Sequence, residues 1–311
     1  MASEFETVWT TIPLKGVSLG DRSEMSLGND IALLRSDVRL LAARDDLSLL
    51  LSKVQSEDVG RADWFLVLRV LQSTLRAVDI PRTAERLLDA LMAFQIIKPI
   101  VTYGLLFHGT ESRDGQILWH GMDDRRWPMI GGQWSQMRRF DALLLKNVQE
   151  MLPRVHRVMS GTDIGKINAI HLLQLALEHP HPLIACLLAV TGMDAVLKSG
   201  RRRDFKERLC KLLGASTLAF PDWNSPHFLP PNHTVKDLAI PLYTLRNKVA
   251  HGADLREAAR DKESPVDLGE LKPYVSLHPP NWSLEMEMVQ YATLLGEAAI
   301  YLLGQVLQRV L

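Results

Sequence analysis

Length, composition and charge place this chain among globular proteins with a buried core. It has 311 residues, 47% of them hydrophobic and 23% charged, which is enough for one large domain or two ordinary ones. The 36 basic and 36 acidic side chains cancel. This balance excludes a strong overall positive charge, so any contact with nucleic acid has to come from a local patch.

The cysteines and the N-terminus bear on the cellular compartment. Cys186 and Cys210 are too few for a disulfide framework and lack the spacing of zinc ligands. A reducing cytoplasm fits them best. The acidic N-terminus lacks the layout of a signal peptide, and no apolar run reaches the roughly 18 residues of a membrane span. We therefore expect a cytoplasmic protein with no membrane partner.

The N-terminal part of the chain predicts a smaller α+β region. Residues from 6 to about 40 are rich in β-branched and aromatic types and predict strands. A helix is expected over 59–78, where apolar residues recur at helical spacing. A second helix is expected to begin at Pro81, because proline suits a first helical turn. The apolar positions are Trp64, Leu68, Leu71 and Leu75 in the first helix, and Leu87, Leu91 and Phe94 in the second.

A β-hairpin is expected next, with strands over 100–107 and 116–119. The pair Asp114-Gly115 is a turn signal within the loop between them. A polar stretch over 122–133 then predicts a loop. We place the domain boundary directly after it, which divides the chain into an α+β region over 1–133 and a helical domain over 134–311.

Helices dominate the C-terminal domain. Gly200 stands where a C-cap would end one of them, and Ser283 suits the N-cap of the last. Residues 221–232 contain three prolines and cannot be helical throughout. The expected helices span 135–152, 163–178, 182–198, 204–214, 236–252 and 283–310.

One helix carries an Arg-Asn-x-x-x-His pattern. Tyr243, Asn247 and His251 are four residues apart and form one stripe on a helix, at whose end Gly252 provides a cap. Arg246 lies beside that stripe, about 140° around the helix axis from His251. A long guanidinium can reach around this angle to share a pocket.

These residue types can cleave RNA through its own 2′-hydroxyl. Histidine transfers protons near neutral pH, and arginine can stabilise a phosphorane with a planar set of donors. Asn247 can orient the imidazole or hold a phosphate oxygen. No metal or other cofactor is required. The plain alternative is a helix cap with surface charges, since a pattern this short also occurs by accident.

The segment from Tyr243 to Gly252 resembles the signature of HEPN domains. The text over 183–197, which contains Asp194, resembles the long helix of the ApeA-like branch, and 205–214 resembles the next helix, ending in Leu-Leu-Gly. The match covers about residues 165–255, and 13–17 and 30–35 echo the segment that precedes such domains. Pro241 and the proline-rich loop depart from the usual pattern. Pro241 predicts either a kink or the true start of the helix.

The resemblance implies a mainly α protein with a C-terminal HEPN-type helical bundle that forms a homodimer. It implies metal-independent endoribonuclease activity, in many members as part of prokaryotic defence or toxin systems, with a possible defence-system or antitoxin protein as partner. By position, Arg246 and His251 become the catalytic pair and Asn247 the polar auxiliary. Asp194 matches the acid on the earlier helix and is expected to pair with Arg246, unless it is only a capping or solvated acid. Tyr243 is the other auxiliary residue.

A basic cluster next to this region is the candidate RNA-binding surface. It begins at Lys198 and is opposed only by Asp204 and Glu207. The alternative is a solvated loop and helix face. His179 and His181 lack the spacing of a helical metal pair, and no metal site is expected. The proposed RNA-binding residues are Arg201, Arg202, Arg203, Lys206 and Lys248, and the cluster also contains Arg208 and Lys211.

The sequence thus favours a homodimeric ribonuclease that acts on RNA without a metal. Two alternatives stay open. One is a HEPN-type binding or scaffold module without turnover, which recognises RNA or a protein. The other is a defence-system sensor whose N-terminal region detects a trigger.

Overall fold

The computed structural model describes two compact units. One, the sheet unit, comprises Met1–Trp127 and Arg139–Ser160, and the other, the helical unit, comprises Pro128–Arg138 and Gly161–Leu311. The described residues are 5–28, 30–35, 62–71, 80–99, 101–102, 105–112, 117–124, 140–179, 181–219, 233–252 and 284–311.

Seven described strands form one antiparallel sheet. Their order is β2-β3-β4-β1-β6-β7, and β5 pairs with β1 beside β6. The central strand β1 is apolar and β-branched, and it is buried from Trp9 to Leu14. The strands expected before residue 40 are confirmed as far as residue 35. The strands are β1 (Phe5–Lys15), β2 (Glu24–Gly28), β3 (Ile31–Arg35), β4 (Trp64–Leu71), β5 (Val101–Thr102), β6 (Leu105–Ser112) and β7 (Ile117–Asp124).

The helix expected over 59–78 is wrong, because β4 occupies Trp64–Leu71. Its residues pair with β1 on one side and β3 on the other, and every residue from Trp64 to Leu68 is buried. A strand buried on both faces is apolar at every position, so its sequence contains helical spacing by coincidence. Leu75 lies outside the described residues.

The expected hairpin is present, but its first strand lies further along the chain. β6 and β7 pair from Leu105↔Asp124 to Glu111↔Ile117. The expected strand over 100–107 is divided between β5 and β6, and residues 109–112 of the expected loop belong to β6. Residues 122–124 extend β7, and the rest of the expected polar loop lies outside the described residues.

Two of the described helices belong to the sheet unit. The helix after Pro81 is confirmed as α1 (Ile80–Ile97), whose Leu87, Leu91 and Phe94 are completely buried. α2 (Ala142–Met159) packs against α1. Phe140 contacts the Phe94 ring at 5.3 Å between centroids, and its N–H donates to Gly16 O at 2.7 Å.

The helix expected over 135–152 therefore starts only at Ala142, and it belongs to the sheet unit. Asp141 is its N-cap and accepts a hydrogen bond from Leu144 N at 2.9 Å, so α2 begins only after the backbone of Phe140 has paired with residues 16–18, just beyond β1. Contacts place α2 with the sheet unit, whereas the sequence-based boundary after residue 133 placed it with the C-terminal helices.

The helical unit contains five described helices, all within two residues of their expected bounds. α4 is buried on most sides and packs against α3, α6 and α7, while α5 packs against α6. No single described helix is long and apolar enough to cross a membrane. Only α4 and α5 taken together reach that length and apolar composition, and the two helices are bent by 77° relative to each other. The helices are α3 (Ile164–Glu178), α4 (Pro182–Leu197), α5 (Arg202–Leu213), α6 (Val235–Ala250) and α7 (Leu284–Val310).

Two glycines let α4 and α7 approach closely. A Cβ atom at Gly192 would lie 2.9 Å from Leu303 Cδ2, and one at Gly296 would lie 2.8 Å from Pro182 O. Both separations are shorter than van der Waals contact. Gly296 faces backbone and requires glycine in this packing, whereas a side chain at Gly192 would have to displace the end of Leu303. The contact fixes α4 along its length, including the end that carries Asp194.

Local contacts set the helix ends, and the residue that ends α4 differs from the prediction. α6 begins with a capping box between Thr234 and Asp237, and hydrogen bonds from Thr234 lower the pKa of that carboxyl. Pro241 lies inside α6 and does not mark its start. The left-handed residue that ends α4 is Lys198 (φ 52°), with Gly200 two positions later. The expected N-cap Ser283 lies outside the described residues.

A buried acid interrupts the apolar surface of α7. Glu297 is only 3% exposed, and neither of its carboxyl oxygens has a hydrogen-bond partner among the residues that the structure describes. Burial raises the pKa of this carboxyl from 4.5 to about 8, because the charged form loses its hydration. The group is therefore neutral in the folded protein near neutral pH.

We predict that Glu297 makes stability depend on pH. With a folded-state pKa above the unfolded value, its contribution is complete below about 4.5 and is lost as the pH rises to about 8. The free energy of unfolding should fall over this window by up to about 1.4 kcal/mol per pH unit. Urea unfolding at several pH values measures this slope.

Glu297→Gln should remove that component and stabilise the protein at the upper end of the window, because an amide has no charge to bury. Glu150→Gln, on the exposed side of α2, is the matched control and should leave the slope unchanged. Equal slopes for wild type and Glu297→Gln would contradict the prediction.

Candidate functional site

The Arg-Asn-x-x-x-His pattern lies on α6, as the sequence predicted. α6 packs on α4 and α5 through its apolar side, and Tyr243 is buried on that side. Arg246 and Asn247 are partly buried, and His251 is exposed at the C-terminal end. The pattern therefore runs from the packed side of the helix to solvent.

Three neighbours hold the Arg246 guanidinium. Nη1 donates to Asn247 Oδ1 at 2.8 Å, Nη2 lies 3.6 Å from Asp194 Oδ2, and the guanidinium carbon lies 5.3 Å from the centre of the Tyr243 ring. Its Nε atom is buried and, in the described part of the chain, has no hydrogen-bond partner. The expected Asp194–Arg246 pair is thus present, with the two side chains 16% and 25% exposed.

The other oxygen of Asp194 binds the turn that follows α4. Oδ1 accepts hydrogen bonds from Ser199 N at 3.3 Å, Ser199 Oγ, and Gly200 N at 3.4 Å. The two interpretations of Asp194 from sequence, a partner of arginine and a capping acid, are therefore both correct, one for each oxygen.

Tyr243 and Asn247 serve Arg246 and not His251. The Tyr243 ring also contacts Phe205 of α5, with 5.1 Å between ring centroids. The side-chain oxygen of Asn247 accepts a hydrogen bond from Arg246, whereas the sequence suggested that this side chain orients the imidazole or holds a phosphate oxygen. Its amide N–H₂ is the group that remains for a phosphate oxygen.

His251 forms the C-cap of α6. Its N–H donates to Asn247 O at 3.0 Å, and Gly252 follows with φ +73°, so the expected glycine cap is confirmed. The imidazole is exposed, and among the described residues no hydrogen bond joins it to Arg246. One chain thus assembles Arg246 with Tyr243, Asn247 and Asp194, and leaves His251 free to meet groups from solvent or from another molecule.

The candidate RNA-binding residues lie around the start of α5. Arg201, Arg202 and Arg203 are exposed, while Lys206 and Lys248 are partly buried. Arg202 Nη1 lies 3.5 Å from Thr244 Oγ1, which places it beside the motif helix two residues before Arg246. Arg203 forms an exposed ion pair with Glu207 at 2.9 Å, so part of its charge is already neutralised.

Arg208 has a structural role that the sequence did not reveal. It donates to Leu197 O at 2.6 Å and to Lys198 O at 3.0 Å, and so closes the carbonyl end of α4. The only sequence signal was its membership of a basic cluster, which cannot separate a capping arginine from one that binds phosphate. Ser199 was also missed, because a serine beyond a helix end gives no sign of its partner.

His179 and His181, for which no metal site was expected, accept hydrogen bonds from backbone groups. His179 Nδ1 accepts from His181 N at 3.1 Å, and His181 Nδ1 accepts from Leu183 N at 3.3 Å as the N-cap of α4. Within the described ranges no three His, Cys, Asp or Glu side chains are grouped as metal ligands. Both cysteines are free thiols, and complete burial raises the pKa of Cys186 to about 12.

The arrangement offers a fixed guanidinium, an exposed imidazole five residues away on the same helix, and cationic side chains beside them. Such a set suits a phosphate ester, since planar donors match phosphate oxygens and imidazole exchanges protons with the ester oxygens. No family model, curated protein or solved structure matches the chain. The HEPN assignment made from the sequence therefore stays a prediction.

Proposed function

We propose that this chain is a metal-independent endoribonuclease of HEPN type. The observation that carries the proposal is the fixed Arg246 on a helix whose solvent-exposed end is His251, with exposed arginines at the start of the adjacent α5. The resemblance supports a HEPN bundle for the helical unit and a role in prokaryotic defence or toxin activity. The substrate is RNA, because the reaction uses the ribose 2′-hydroxyl as nucleophile.

The reaction needs a base, an acid and stabilisation of negative charge. The 2′-hydroxyl loses its proton to an imidazole, the 2′-oxygen forms a bond to phosphorus, and the bond from phosphorus to the 5′-oxygen breaks as that oxygen takes up a proton. Arg246 stabilises the charge on the phosphorane, and the Asn247 amide donates to a phosphate oxygen. Because one chain supplies one His251, we propose that two chains form the complete site in a homodimer.

A binding or scaffold role without turnover is the second candidate. It is favoured by the engagement of Arg246, whose two terminal nitrogens already contact Asn247 and Asp194 while Nε is buried. Such an arginine also suits a purely structural role in a module that binds RNA or a protein, including an antitoxin or a defence-system partner. Measurement of RNA cleavage separates the two candidates.

We predict that the purified protein cleaves single-stranded RNA in the presence of EDTA. Arg246→Lys should lower the rate about 100-fold or more, because lysine lacks the planar donors and the contact with Asn247. His251→Ala should lower it by a similar factor, because the proton transfer is lost.

Arg154→Lys and His171→Ala, both at exposed positions, are the matched controls and should keep full activity. Melting temperatures are needed beside the rates, since Arg246 is partly buried and its loss also affects packing, whereas His251 is exposed. Cleavage that disappears in EDTA and returns with a divalent metal would rule out the proposed chemistry.

We predict that the products carry a 2′,3′-cyclic phosphate and a 5′-hydroxyl, since the 2′-oxygen replaces the 5′-oxygen on phosphorus. An oligonucleotide with a single 2′-deoxy substitution at the cleavage site should be inert there. Mass spectrometry of the fragments identifies the ends. Fragments with 3′-hydroxyl and 5′-phosphate ends would contradict attack by the 2′-hydroxyl.

We predict that the active species has twice the 35.0 kDa mass of the chain. Light scattering at micromolar concentration measures the mass, and the activity per chain should fall on dilution as the dimer dissociates. A fully active monomer would contradict the two-chain site, and the catalytic site would then lie within one chain.

A further inference from the structure

The carboxylate that holds Arg246 is itself held by Ser199. Asp194 Oδ1 has three donors, and the Ser199 hydroxyl is the side-chain donor among them. The backbone N–H groups of Ser199 and Gly200 lie at 3.3 and 3.4 Å, near the outer limit of a hydrogen bond. The hydroxyl is therefore the principal donor that sets the rotation of this carboxylate.

The rotation of the carboxylate decides where Arg246 lies. Asp194 Oδ2 is 3.6 Å from Arg246 Nη2, a separation at which charge attraction remains but a rotated carboxylate would lose the contact. Ser199 is 5% exposed and Asp194 16% exposed, so water cannot readily replace the hydroxyl. Among the described residues no hydrogen bond joins Ser199 to Arg246, so Ser199 acts on the guanidinium through Asp194.

We propose that Ser199 is a positioning residue for Arg246. It fixes the Asp194 carboxylate, which in turn fixes the guanidinium in the orientation that the phosphorane requires. This inference rests on the proposed ribonuclease function for its effect on rate, while its effect on the Arg246 side chain is independent of any activity. The same serine belongs to the turn between Lys198 and Arg201, so the basic turn and the guanidinium are positioned by one hydrogen-bond network.

The test is Ser199→Ala in the full-length protein, which removes the hydroxyl and keeps both backbone donors. Thr191→Val is the matched control, because it removes a hydroxyl that bonds Leu187 O on the same helix α4 and does not touch Asp194. Asp194→Asn is a second variant that keeps an oxygen for the turn and removes the negative charge beside Arg246. Melting temperatures confirm that each variant folds.

The first readout is the solvent-exchange rate of the Arg246 Nε–H proton, followed by NMR and assigned by its absence in Arg246→Lys. The buried Nε predicts slow exchange in wild type and in Thr191→Val. Exchange should become about ten-fold faster in Ser199→Ala and in Asp194→Asn, as the guanidinium gains freedom.

The second readout is single-turnover cleavage of RNA. Ser199→Ala should lower kcat by about ten-fold and leave KM nearly unchanged, because the displaced guanidinium weakens stabilisation of the transition state and not ground-state binding. Unchanged exchange in Ser199→Ala would overturn the proposal, as would an active enzyme whose kcat does not change. If wild type cleaves no RNA, the ribonuclease proposal fails and the exchange rate alone decides the positioning role.

Discussion

The Asp194 carboxylate joins three parts of the helical unit that are distant in sequence. It stands near the end of α4, binds the turn that leads to α5 through one oxygen, and pairs with Arg246 on α6 through the other. Arg246 is partly buried and would carry an uncompensated charge without this partner. The position of the candidate catalytic arginine is thus set by the corner between α4 and α5, and not by α6 alone.

The corner between α4 and α5 has a fixed position because α4 is held along its length. Gly192 and Gly296 allow α4 and α7 to approach more closely than side chains would permit, and the apolar faces of α3 and α6 pack on other sides of α4. Glu297 lies buried on α7, and burial raises the pKa of its carboxyl to about 8. The polar chemistry is confined to the end of α4, where the helix meets solvent.

The sequence predicted the helical unit well because its signals are local. The structure closes helix ends at His181, at the Thr234 capping box and at Gly252 through bonds to the nearest residues, and of these Gly252 was predicted as a cap. The helices α3 to α7 fall within two residues of expectation. The sheet unit was harder, because β4 is apolar at every position except Arg69 and only its neighbours β1 and β3 distinguish it from a helix. The site divides in the same way. The identity of Arg246, His251 and Asp194 followed from resemblance, whereas Ser199 and Arg208 depend on contacts across the α4–α5 turn that no spacing rule contains.

Arg208 makes the structure at the end of α4 depend on α5. The last carbonyl groups of α4 are bound by a side chain that α5 supplies, and Arg202 reaches from the start of α5 to Thr244 on α6. Fraying at the end of α4 would therefore leave Arg208 without its acceptors, and departure of α5 would expose the α4 carbonyls. We therefore expect the end of α4, the turn and α5 to open together, so that local unfolding here would remove the support of the candidate arginine in a single step.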